Sequence, residues 1–260
     1  MLSKELKKLF KEKFLENFEP LGFKYKKNKF TRIINGQIIQ DIKLECARVG
    51  TMFTVSIANT PFLDETLSKS AGKIIPDYRI YLFMKCKSDK FWYYRNSIEI
   101  DNSINSIIVV LKENVIPQLE NTKDYYSWLE FHKIIDRKQY NSTVPISDTA
   151  LKVMLRLAEY DLLNNSLGEK IKILRNQYDD FLAYIKQMTK DGKSGKTEGE
   201  YRKKEQIQKE TEILKLEDLK KQIVAGEGNK LRENILILEN NIIETMKKEY
   251  STIFDTNKCD

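Results

Sequence analysis

Three cysteines and one histidine are spread over 260 residues. Cys46, Cys86 and Cys259 are odd in number, far apart and form no CxxC pair, which speaks against a disulfide framework. A structural zinc site needs about four nitrogen or sulfur ligands, and His132 is the one imidazole on offer. The expected cofactor complement is therefore none. No run of eighteen apolar residues is present, so no membrane-spanning helix is expected. The opening segment MLSKELKKLFKEKFLENF is charged throughout, without the apolar core or small-residue cleavage site of a secretory signal. These absences predict a cytoplasmic protein.

Recognisable catalytic motifs are missing too. There is no GxSxG elbow and no HExxH. The run Gly192-Lys-Ser-Gly-Lys-Thr197 resembles part of a phosphate loop, but GxxxxGK[ST] requires glycine where Lys190 stands. A helix, not a strand, is expected before it, so it reads as a flexible helix-hairpin tip. His132, in WLEFHK, has no nucleophile or orienting partner legible nearby, and reads as a helix-surface or partly buried histidine. Cys46 alternates with core positions and reads as a small buried residue.

What the chain does have is charge and apolar periodicity. Charged residues make up 32% and apolar residues 41%, as in a soluble globular protein with much solvated helix surface. The first fifty residues hold twelve basic and six acidic side chains, whereas residues 201–260 hold twelve of each. The net charge of +7 therefore resides mostly near the start. Leu6, Phe10, Phe14 and Phe18 mark an amphipathic helix with Ser3 as its N-cap, ending near Glu19-Pro20. Residues 23–34 read as a strand running into Asn35-Gly36, a strong hairpin signal, and then into QIIQDIKLECA. Phe53, Val55 and Ile57 alternate with polar residues, giving an antiparallel meander with one face toward a core. Strands are expected at 78–85 and 90–95, and helices at 103–116, limited by Pro117, and 122–136.

From about residue 146 only helices are expected. Ser147 or Asp148 caps the first. Ile171, Leu174, Tyr178, Phe181, Ile185 and Met188 form a heptad seam, and Ile207, Leu214, Leu216, Leu219 and Ile223 a further stripe. Short breaks between such helices imply antiparallel neighbours.

Two clusters stand out as candidate binding residues. Lys26, Lys27, Lys29 and Arg32 are interleaved with Phe23, Tyr25 and Phe30, a combination able to hold single-stranded nucleic acid by charge and stacking. Arg79, Asp89 and Trp92 combine residue types that dominate binding hot spots and also fill cores.

The same residues carry a family resemblance. Leu21-Gly22-Phe23 is followed by basic residues, then Phe30-Thr-Arg32, a hairpin, Arg79 in a strand, Asp89-Lys-Phe-Trp92, and a helix ending Val115-Ile-Pro117. This resembles an uncharacterised bacterial family of the domain-of-unknown-function type, with an LGF-basic-aromatic-Arg signature and a D-K-W-W strand. Phe91 stands here in place of the first tryptophan. The resemblance spans roughly residues 5–135 and implies an α+β domain, without catalytic residues. By analogy, small bacterial α+β proteins of this look serve as toxin-immunity or defence-associated partners.

The expected architecture is α+β. An antiparallel sheet of about five strands packs with helices over residues 1–140, and an all-helical antiparallel coiled coil or bundle fills 141–260. The expected function is a non-catalytic protein-binding module, with self-association through the heptad helices among its contacts. The alternatives are a nucleic-acid-binding protein using the basic aromatic sheet, and an enzyme drawing on Arg79, Asp89, Trp92 or His132.

Overall fold

The computed structural model describes residues 2–26, 28–46, 51–65, 67, 78–79, 83, 92–190 and 196–254. Contacts divide the chain into two compact units, one of Met1–Ile135 with Leu236–Asp260, the other of Asp136–Ile235. Residues 236–254 thus fold with the first unit, not with the helices that precede them.

In the first unit, α1 (Leu2–Phe18) buries Leu6, Phe10, Phe14 and Phe18 on one face. The helix begins at Leu2, so Ser3 lies inside it and is not its cap. A 3₁₀ turn over Glu19–Leu21 closes at Gly22, whose φ of 82° is left-handed and suits a residue without Cβ. The sheet follows: β1 (Lys24–Lys26), β2 (Lys29–Ile34), β3 (Ile38–Cys46), β4 (Met52–Pro61), β5 (Tyr78–Arg79) and β6 (Trp92–Tyr93). Neighbours run antiparallel in the order β1-β2-β3-β4-β5, and β6 also pairs with β4. β5 meets β4 at Ser56–Ile57 and β6 meets it at Met52–Phe53, so the sheet is five strand positions wide. Asn35 and Gly36 have φ of 49° and 66°, the two positive values the expected hairpin turn requires. The single strand expected over 23–34 is instead a hairpin, turned where Asn28 takes φ 63°. Gly50, Cys86 and Ser88 lie outside the described residues, as do 80–82 and 84–85 of one expected strand and 90–91 of the other.

Helix α2 (Ser97–Val110) is capped by Asn96, whose Oδ1 accepts the Glu99 N–H at 2.9 Å. It starts earlier than the periodicity implies, and Pro117 does not end it. Leu111–Val115 form a π turn in which the Ile116 N–H donates to the Leu111 carbonyl, and α3 (Ile116–Glu120) continues beyond. Proline brings no N–H to place, so the wider turn accommodates it. α4 (Tyr125–Tyr140) follows.

Both faces of the sheet are covered, which corrects the one-sided meander. Phe30, Ile42, Phe53, Val55 and Ile57 pack with α1, α2 and Phe131 of α4. Ile33, Ile39, Ala58 and Phe62 pack with Ile242 and Met246 of α8 (Gly228–Glu249), Tyr250, and Ile253 of the short α9 (Ser251–Phe254).

The second unit is helical. Ser147 Oγ accepts the Ala150 N–H at 3.1 Å and starts α5 (Asp148–Leu157). Ala158 stops it in the left-handed region, and α6 (Tyr160–Lys190) begins. α7 (Lys196–Val224) packs against α6 through Tyr184 with Arg202, Phe181 with Lys209, Arg175 with Glu217 and Gly168 with Lys220. Position numbers rise on one helix as they fall on the other, so the pair is an antiparallel hairpin.

Candidate functional site

Strand register sorts the polar residues of the sheet onto its two faces. One row crosses all five positions: Lys26 pairs with Lys29, Lys29 with Lys43, Lys43 with Ser56 and Ser56 with Arg79. The row is basic by sequence but compensated in space. Lys29 is buried, with Nζ 2.6 Å from Asp41 Oδ2, and Thr31 Oγ1 donates to Asp41 Oδ1. Burial pushes the Asp41 carboxyl above the ordinary carboxylate range, against the downward pull of Lys29, Thr31 and Lys43. Lys43 is exposed and pairs with Glu45 at 3.0 Å. The ammonium groups of Lys26 and Lys29 lie 4.5 Å and 5.5 Å from the centre of the Tyr250 ring, a cation–π arrangement on both. Lys24 Nζ donates to the Thr252 carbonyl at 3.1 Å.

A second row occupies the other face: Arg32, Gln40 and Asn59, side by side on β2, β3 and β4. Arg32 Nε donates to Gln40 Oε1 at 2.7 Å and its Nη1 to the Leu21 carbonyl at 2.9 Å. Gln40 Nε2 donates to Asn59 Oδ1 and to the Leu119 carbonyl, and Asn59 Nδ2 reaches Thr122 Oγ1. The Arg32 guanidinium also lies 4.4 Å from the centre of the Phe23 ring. Burial lowers its pKa to about 10, opposed by Glu120. This network ties the sheet to the α3–α4 connection and is closed upon itself, apart from Arg32 Nη2, which has no hydrogen-bond partner among the described residues.

The candidate binding residues are therefore dispersed. Lys26, Lys29 and Arg79 share a row, while Arg32 belongs to the opposite face. Trp92 is buried in the core with its Nε1 3.2 Å from Ser106 Oγ. Lys27 and Asp89 lie outside the described residues, as does the Gly192–Gly195 stretch. Phe23 and Phe30 are wholly buried, so the aromatic partners of the basic cluster form core and not a stacking platform. His132 is buried on α4, its ring 4.0 Å from that of Trp128. Cys46, the last residue of β3, is exposed rather than buried. Among the described residues, no group of three or more His, Cys, Asp or Glu side chains is placed to hold a metal ion.

Sequence reasoning missed Asp41, Gln40, Asn59 and Tyr250, and it merged two stripes on α7. Ile213, Leu216 and Ile223 are buried. Ile207 and Leu214, expected in the same stripe, are 53% and 64% exposed, and Val224 is 73% exposed. At about 100° per residue the exposed set is centred roughly a third of a turn round the helix from the buried one. Leu214 and Val224 each line one of two open grooves along the hairpin, of about 550 and 580 Å³, both also lined by Arg175 and Glu217. At one end Tyr178 donates a hydrogen bond to Glu210, which lowers the Glu210 pKa and raises that of the phenol. At the other end stand Lys220, Lys221 and Val224.

Residues 14–121 match the model of the family described as Domain of unknown function (DUF4304), which bears out the resemblance over a segment of the chain. That segment takes in the end of α1, the sheet, α2 and α3. No curated protein and no solved structure matches the chain. No helix among the described residues is long and apolar enough to cross a membrane.

Proposed function

We propose that the chain is a non-catalytic, cytoplasmic protein-binding module whose contact surface is the α6–α7 coiled-coil hairpin. The supporting observation is the exposed stripe Ile207, Leu214 and Val224 beside a groove, on a helix that already buries a second stripe. Exposed apolar residues at helical spacing are what a partner helix covers. The few, widely spaced cysteines support the cytoplasm. Nucleic-acid binding through the sheet draws less support. Lys29 and Arg32 are buried, and Lys29 and Lys43 each hold a carboxylate that a phosphate would have to displace.

The paired substitutions Ile207→Glu and Leu214→Glu in the full chain test this reading. Both side chains are exposed, so the melting temperature is expected to stay within about 2 °C of wild type. Partner recovered from the host with wild type is expected to be lost, while a Lys26→Glu control retains it. Equal recovery by wild type and the paired variant would overturn the reading.

A further inference from the structure

The exposed stripe of α7 is self-complementary at four of its six positions when set against its own reverse. Read in order it is Ile207, Glu210, Leu214, Glu217, Lys221 and Val224, spaced 3, 4, 3, 4, 3. Placed antiparallel to a second copy and centred between Leu214 and Glu217, it puts Ile207 opposite Val224 and Glu210 opposite Lys221. Apolar then meets apolar at both ends, acid meets base inside them, and Leu214 meets Glu217 at the centre. A two-fold axis generates each contact twice, as a closed isologous dimer requires. The grooves agree: their acidic end at Glu210 and basic end at Lys220 and Lys221 exchange places under the same operation.

We infer that the occupant of this groove is a second copy of the chain, its α7 lying antiparallel along the first to complete a four-helix bundle of two α6–α7 hairpins. At 29 residues, α7 is about 43 Å long, ample for such a seam. Nearest the axis, Leu214 stands opposite Glu217 of the second copy, and the two Leu214 side chains lie about one turn apart diagonally across it. Glu217 enters this central contact already paired with Arg175 of its own copy, so its carboxylate keeps a charged partner there.

This inference rests on the docking role of the hairpin and narrows its partner, and a charge exchange separates the two. Sedimentation velocity on the full chain across micromolar concentrations is expected to show a wild-type dimer. Glu210→Lys alone and Lys221→Glu alone each set like charges opposite one another and are expected to weaken the dimer on the order of tenfold. Mixed one to one, the two introduced charges meet as complements at one contact and the native Glu210–Lys221 pair is kept at the other, so the dimer is expected to return. A monomeric wild type, single variants that dimerise like wild type, or a mixture that stays monomeric would each overturn the inference. A monomeric wild type whose host partner is still lost on Ile207→Glu/Leu214→Glu would overturn the second copy as occupant and leave the docking role standing.

Discussion

Removal of residues 236–260 is expected to abolish the folded state of the first unit. Those residues supply Ile242, Met246, Tyr250 and Ile253, each at most 3% exposed and packed on Ile33, Ile39 and Phe62. Burying an aliphatic or aromatic side chain contributes about 1.5–3 kcal/mol, so four of them contribute roughly 6–12 kcal/mol. That is comparable to the ~5–15 kcal/mol that holds a whole domain folded. The truncated chain would also uncover apolar residues on β2, β3 and β4 and leave Lys26 and Lys29 without the Tyr250 ring. Circular dichroism melting and light scattering check this: loss of a cooperative transition and aggregation are expected. A sharp melt within a few degrees of the full chain would show that the sheet's second face needs no cover.

Asp41→Ala is expected to destabilise by about 3–5 kcal/mol, because it strands the Lys29 ammonium in a buried site. The reverse substitution, Lys29→Ala, strands the carboxylate at a similar cost. Replacing both at once, Lys29→Met with Asp41→Leu, is expected to recover most of the loss, since an apolar pair avoids desolvating two charges. Asp41 also carries a pH signature. Its folded-state value lies above its unfolded value, so in the window between them the native state binds more protons than the unfolded state. Its contribution to stability therefore declines as pH rises through that window and is recovered as pH falls. Wild type is expected to gain on Asp41→Asn between neutral and acid pH, measured by urea unfolding of the two side by side.

These two expectations concern the features hardest to see in the sequence. The first helix, the Asn35-Gly36 hairpin and the Ser147 cap are local: their signals are a residue spacing, a pair of positive φ values and one oxygen near an N–H. The cover on the second face is not local, since it comes from residues two hundred positions away. A trace of it was nonetheless present, in the doublets Ile33-Ile34 and Ile38-Ile39. Strand side chains alternate, so a doublet puts an apolar group on each face and calls for a core on both. The buried rows Arg32–Gln40–Asn59 and Lys29–Asp41 left no such trace. Polar residues in a strand read as solvent-facing until the register shows which of them face helices. On α7, apolar residues on two adjacent faces blurred into one irregular stripe, and only burial separates the set facing α6 from the set left exposed.

The central claim is that the sheet is closed structure and the exposed stripe of α7 is the contact surface. Site-specific photo-crosslinking in the native host tests it most directly, with a benzophenone side chain placed at Leu214 in one full-length variant and at Lys43 on the sheet in another. Protein crosslinks are expected from Leu214 and background alone from Lys43. Crosslinks concentrated at Lys43, to protein or to nucleic acid, with none at Leu214, would contradict it.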